Sequence, residues 1–294
     1  MSIVEETLLA QRDYWRDICV RVGNLESRDF PHEPPKRIVF FGIGSSFLAA
    51  KLCQLALKRD NTRKRTPVIV CPSTHVGVDA IPSKGDWVFA FTHRGKSGPT
   101  LDAMKLSNQL GAFTVQVSAI GVSKDPSAQM ILETLPQERV EPHTAAVTGA
   151  ICAVTAFLLG TKGLEEWDAL TTVPAPDLAI LRERAGQGPG IILGEWEGEF
   201  LAREAALKLM EMARLPVRAF GSEEFFHGPV YSKKPSDVTW HVSLPKDPRA
   251  SQINPSLTVS VYGSSPLAWV PALVELQWLA LATALNLGVD PDVV

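Results

Sequence analysis

Apolar residues recur at helical spacing from the start of the chain, at Val4, Leu8, Tyr14 or Trp15, Ile18 and Val22, which predicts a helix over residues 1–22. Prolines at 31, 34 and 35 break the pattern. A buried strand follows at 37–41, a small-residue loop at 42–46, and a helix at 47–58. Short apolar runs at 67–71, 87–91 and 113–117 read as further strands, and the periodic segment 99–110 as a helix between the last two. Residues 144–160 predict one long helix. Strands that alternate with helices imply a parallel sheet covered on both faces.

A linker at 171–177 carries Pro174 and Pro176. Beyond it, strand 190–193, a turn at Gly194 and helix 197–212 repeat the unit that opened at 37, as expected of an internal duplication. Residues 238–242 and 257–262 read as strands, with no room for more than a very short crossover helix at 247–255. Helix 271–287 closes the pattern. The expectation is two α/β domains, at 1–170 (with the N-terminal helix) and 171–294, the second shortened.

The 294 residues are 45% hydrophobic and 21% charged, which suits two globular domains. A formal net charge of −3 argues against a nucleic-acid binder. Cys19, Cys53, Cys71 and Cys152 form no C-x-x-C, so reduced thiols of a cytoplasmic protein are expected, with neither a zinc site nor a disulfide framework. Glu5 and Glu6 stand where a signal peptide would be basic, and no apolar run reaches the ~18 residues of a membrane span.

Three segments carry candidate chemistry. In helix 197–212, Glu204, Lys208 and Glu211 fall within an arc of roughly 60° at about 100° per residue. Leu201, Ala205, Ala206, Leu209 and Met210 make an apolar arc beside them. Two carboxylates and an ammonium hemmed in by apolar residues suit proton transfer, while the same i,i+4 pair also decorates ordinary solvated helices. Gly42-Ile43-Gly44-Ser45-Ser46 lies between a strand and a helix, where backbone N–H groups and the positive helix end favour an anion. Thr92-His93-Arg94-Gly95-Lys96-Ser97 occupies a second strand-to-helix junction. Two such loops at the carboxyl ends of parallel strands can share a cleft that holds a phosphomonoester; they also suit plain capping turns. Neither is a dinucleotide fingerprint or a Walker loop, so a nucleotide-dependent enzyme is disfavoured.

Together these segments resemble the sugar isomerase (SIS) family, in particular the tandem isomerase domains of glucosamine-6-phosphate synthase and related ketose/aldose phosphate isomerases. The resemblance rests on Gly44-Ser45-Ser46, on the 92–97 loop, on Glu204-Ala205-Ala206-Leu207-Lys208-Leu209-Met210-Glu211, and on Glu223 or Glu224 through His227-Gly228-Pro229. Glu275-Leu276-Gln277 and Gly288-Val289-Asp290-Pro291-Asp292 are similar to the family's last helix and tail. It implies two tandem doubly wound, three-layer α/β/α, flavodoxin-like domains.

It further implies a phosphorylated sugar or amino sugar as ligand and enediol proton transfer on the open-chain form. Gly44, Ser45, Ser46, Thr92, His93 and Ser97 would bind phosphate, with Arg94 as an extra. Glu211 would be the base, Lys208 and Glu204 its electrostatic support, and His227 the ring-opening group, reaching the neighbouring subunit's site in a homodimer. Neither metal nor cofactor is expected. Relatives carry a tail lysine and a glutaminase domain that this sequence does not show, so imine chemistry and internal ammonia supply are not expected. Deamination or deglycation of an amino-sugar phosphate, and non-catalytic phosphosugar sensing, are the alternatives.

Overall fold

The computed structural model describes residues 1–26, 30–60 and 66–293. They group into two compact units: Ala10–Glu138 with Ala145–Thr172, and Met1–Leu9 with Arg139–Thr144 and Val173–Val294. Each unit is an α/β structure with its own parallel sheet.

In the unit that contains residues 10–138, strands β1 (Ile38–Gly42), β2 (Val68–Pro72), β3 (Trp87–Phe91), β4 (Phe113–Ser118) and β5 (Met130–Glu133) take the order β2-β1-β3-β4-β5. All paired strands run parallel, with Ile38 opposite both Val68 and Trp87. β1 and β3 are buried at every position, as unbroken apolar runs in the middle of a two-faced sheet must be. Val39, Phe41, Val88, Ala90 and Met104 pack on one face. Phe40 turns to the other, with ring centroids 5.4 Å from Phe89 and 5.8 Å from Phe91. Helices α2 (Ser45–Arg59), α3 (Gly98–Gln109), α4 (Ala145–Leu159) and α5 (Thr161–Thr171) complete this unit, with the later part of α1 (Ile3–Gly23). Trp15 of α1 donates from its indole to Thr148 at 3.1 Å. Cys19 and Cys152 lie 133 positions apart in sequence, yet their sulfurs are 3.8 Å apart.

The second sheet has β6 (Gly190–Gly194), β7 (Val217–Gly221), β8 (Val238–Ser243) and β9 (Leu257–Ser260) in the parallel order β7-β6-β8-β9. Helices α6 (Leu178–Arg184), α7 (Glu197–Ala213), the short α8 (Ser222–Phe226) and α9 (Val270–Asn286) go with it. The β8–β9 crossover carries only the 3-10 turn Ala250–Gln252, in line with the missing helix expected there. Asp292, in the tail motif, accepts from the backbone N–H groups of Ile3 and Val4 at 2.7 and 2.9 Å and so caps α1.

The sequence pattern does not find β5, β7, α5, α6 or α8. β7 is interrupted by Arg218, which is held by Asp237 at 3.0 Å. β5 is four residues long and follows β4 without a helix, so it lacks both length and rhythm. Among the described residues no helix is long and apolar enough to cross a membrane.

Candidate functional site

The first sheet reverses direction of growth between β1 and β3: β2 follows β1 on one side and β3 on the other. Crevices at such reversals, beyond the carboxyl ends of the strands, are where open α/β sheets bind ligands. Both predicted phosphate loops stand there, between β1 and α2 and between β3 and α3. Glycine is structurally required in each. A Cβ on Gly42 would meet the Ser46 carbonyl carbon at 2.6 Å, and Gly44 sits at φ 58°, ψ −131°. Gly95, at φ 63°, would place a Cβ 2.4 Å from Val122.

Neither α2 nor α3 has a side-chain cap or an acidic residue in its first turn, so both helix starts keep their positive character. Ser45 and Ser46 are half-buried and Gly44 exposed. Thr92 is buried, and its carbonyl accepts from Ser118 Oγ at 2.7 Å; Gln116 in turn donates to Ser118. His93 turns its Nε2 toward the Glu138 N–H, 3.4 Å away, while Arg94 is half-buried. Ser97 ends a hydroxyl relay, 3.0 Å from Thr100, which is itself 2.9 Å from Ser73. Ser73, Thr100 and Ser118 carry no motif signal, because the Ser73–Thr100 and Ser118–Thr92 contacts join segments far apart in sequence. A groove of about 910 Å³ lined by Phe30, Trp87 and Phe157 lies at the amino end of β3, away from these loops.

In the other unit, α7 carries the charged stripe inward. Lys208 is only 1% exposed and Glu204 is fully buried, so the solvated-helix alternative does not hold. The Lys208 ammonium is 2.5 Å from Glu211 Oε2 and 3.6 Å from Glu204 Oε1. Glu211 alone reaches outward, at 28% exposure. Met210, expected on the apolar arc, is instead 44% exposed. Gln277 of α9 is buried and donates to the Thr144 carbonyl at 2.9 Å.

His227 follows α8, and its side chain is 70% exposed. Its Nε2 lies 2.9 Å from Glu223 Oε1, which identifies Glu223, rather than Glu224, as its partner. Arg249 donates to both oxygens of the same carboxylate at 2.7 Å. That bidentate bond, helped by His227, holds the Glu223 carboxyl down at about 2.

The second sheet repeats the reversal, between β6 and β8. There Trp196 takes the place of Gly44 with nearly the same backbone, φ 50° and ψ −116°. Glu197 and Glu199 fill the first turn of α7, which disfavours an anion at this second crevice.

No protein-family profile matches the chain. The glutamine–fructose-6-phosphate aminotransferase (isomerizing) of Pyrobaculum aerophilum is 22% identical over 302 residues, covering 87% of this chain and 50% of that protein. The chain thus spans about half the length of this curated relative. Among solved structures, a candidate phosphosugar isomerase from Clostridium difficile 630 superposes with a TM-score of 0.83 at 17% identity, covering 100% of this chain and 95% of that one. The C-terminal domain of glucosamine-fructose-6-phosphate aminotransferase from Francisella tularensis gives 0.78 at 15%, with 99% and 98% covered. Glucosamine-6-phosphate deaminase from Thermotoga maritima gives 0.76 at 18%, with 99% and 97% covered. The chain therefore has the fold of phosphosugar isomerases and of the C-terminal domain of that aminotransferase, as the resemblance to the SIS family leads one to expect.

Proposed function

We propose that this protein is a phosphosugar isomerase that interconverts an aldose and a ketose phosphate, or the corresponding amino sugar, through an open-chain enediol. The observation that carries the reading is the buried Lys208 between Glu204 and Glu211, with Glu211 as the one member that reaches outward. Burying an ammonium with a carboxylate is seldom the most stable solution for a helix face, so a functional reason is favoured. Glu211 takes the proton from C2 beside the C1 carbonyl and returns it to C1, while O1 gains a proton and O2 gives one up, so the reaction needs no net proton or electron. Lys208 offsets the negative charge that develops on the enediol oxygens, and Glu204 holds Lys208. His227 moves the proton that opens the sugar ring.

The phosphate rests at the α2 and α3 helix starts, on the amides and hydroxyls of Gly44, Ser45, Ser46, Thr92 and Ser97, with His93 and Arg94 beside them. A homodimer, with His227 serving the neighbouring subunit, belongs to the same reading, as does residence in the cytoplasm. Amino-sugar phosphates are favoured as substrates by the likeness to a deaminase and to an aminotransferase. Proton NMR in deuterated water with hexose and amino-hexose phosphates tests the reading. Deuterium entering C1 or C2 supports it. Binding without exchange supports a non-catalytic sensor instead.

A further inference from the structure

We infer that Arg249 and Asp247, on the segment that joins β8 to β9, are positioning residues that hold His227 in place through Glu223 and the start of α8. The inference rests on the role given to His227 under the proposed function. It starts from an oddity of topology. Parallel strands are normally joined by a helix that covers the sheet, and here that helix is reduced to one 3-10 turn. What remains of the connection reaches back to α8.

Asp247 is the hub. Its buried Oδ2 accepts from Ser222 Oγ at 2.7 Å and lies 2.9 Å from His241 Nε2, while Oδ1 accepts from the Arg249 backbone N–H at 2.8 Å. Ser222 and His241 are buried as well, so this carboxylate ties β8, the connection and the first residue of α8 into one unit. Two residues on, Arg249 forks onto both oxygens of Glu223 and lies over the Phe226 ring, 5.5 Å from its centroid. The Glu223 N–H is fixed independently by Glu195 Oε2 at 2.9 Å.

Glu223 thus has a fixed backbone and a fixed carboxylate, and Oε1 faces the His227 imidazole one helical turn away. An imidazole that is 70% exposed has few packing contacts to hold it, so this one polar contact sets its orientation. The arrangement engages Nε2 and leaves Nδ1 as the nitrogen for proton transfer. Two features make the device specific. The guanidinium fork makes two parallel bonds where a lysine would offer a point charge. Neither Asp247 nor Arg249 lies within the segment from Glu223 to Pro229 itself.

The test uses the full chain with ¹³C-labelled histidine, and the His227 Cε1–H signal is assigned by its loss in His227→Asn. In Arg249→Gln and in Glu223→Gln this signal is expected to shift, while those of His32 and His75 stay put. Circular dichroism and the melting temperature confirm that both variants fold. With a phosphosugar that the wild type turns over, Arg249→Gln is expected to lower kcat about tenfold with little change in KM. Added guanidinium is expected to restore part of the loss, which a purely structural defect would not allow. A His227 signal that is the same in Arg249→Gln as in the wild type overturns the inference. So does an unchanged kcat in an active enzyme. A wild type without any exchange sinks the isomerase reading alone, because the histidine spectra still decide whether Arg249 positions His227.

Discussion

Lys208 places its ammonium 2.5 Å from Glu211 Oε2 and 3.6 Å from Glu204 Oε1 while only 1% of its side chain meets solvent. The pair with Glu204 is wholly inside the protein, and the pair with Glu211 leads from the interior to the surface. One positive charge so placed serves both folding and chemistry. Removing it leaves a buried carboxylate with its compensating charge gone. Lys208→Ala is therefore expected to destabilise the protein by roughly 3–5 kcal/mol, read from urea denaturation. The double variant Glu204→Gln/Lys208→Met is expected to lose less than the sum of the single changes, because it removes the charges together.

The Glu223 carboxyl, held at about 2 by Arg249 and His227, gives stability a definite pH dependence. A depressed carboxyl stabilises the folded state above its unfolded value of 4.5, and that contribution is lost as pH falls toward about 2. Wild type and Glu223→Gln are expected to differ in denaturation midpoint at pH 6 and to converge as pH falls through this window. A difference that stays constant from pH 6 to pH 2.5 would rule out the ion pair as its source.

Gly44 at φ 58°, ψ −131° has no neighbour within 4 Å of an added Cβ, so Gly44→Ala isolates the backbone cost from any clash. The expected loss is about 1–3 kcal/mol, with weaker inorganic phosphate binding because the α2 start shifts. Gly42→Ala, which drives a Cβ into the Ser46 backbone, is expected to weaken phosphate binding further. Isothermal titration with phosphate and thermal melts of the two variants check the order.

The four thiols are expected to react at very different rates. Burial pushes the Cys53 and Cys152 thiols well above their ordinary value, and Cys71 up to about 11. Cys19 is half-buried, and its hydrogen bond with Cys152 lowers it. Limited alkylation at pH 8 followed by peptide mass mapping is expected to label Cys19 first. Cys53 labelled before Cys19 in the folded protein would contradict the placement of α1.

The central strands were legible in the sequence because burial on both faces leaves an uninterrupted apolar run, as in Trp87–Phe91, whose observed bounds match the expected ones. Two of the edge strands lose that signal: Val217–Gly221 carries Arg218, and Met130–Glu133 is too short to show a period. In the candidate site, the spacing of Glu204, Lys208 and Glu211 gave the shared face, but spacing alone cannot separate a buried stripe from a solvated one. Only the packing of α7 decides that. The grip of Asp247 and Arg249 on Ser222 and Glu223 spans 25 and 26 positions and joins two loops without periodicity, so no local pattern announces it. Trp196 shows the same limit. The turn expected at Gly194 is kept, but nothing in the pattern announces that Trp196 takes a left-handed backbone there, at φ 50°.

Proton NMR of Glu211→Gln beside the wild type in deuterated water, with the hexose and amino-hexose phosphates, decides whether Glu211 is the base. The wild type is expected to wash deuterium into C1 or C2 of one substrate. Glu211→Gln is expected to bind that sugar with similar affinity and to exchange at least a thousandfold more slowly, on the order of a lost general base. Full exchange in Glu211→Gln would contradict the assignment of the base. No exchange in the wild type with any of these sugars would contradict the isomerase reading itself.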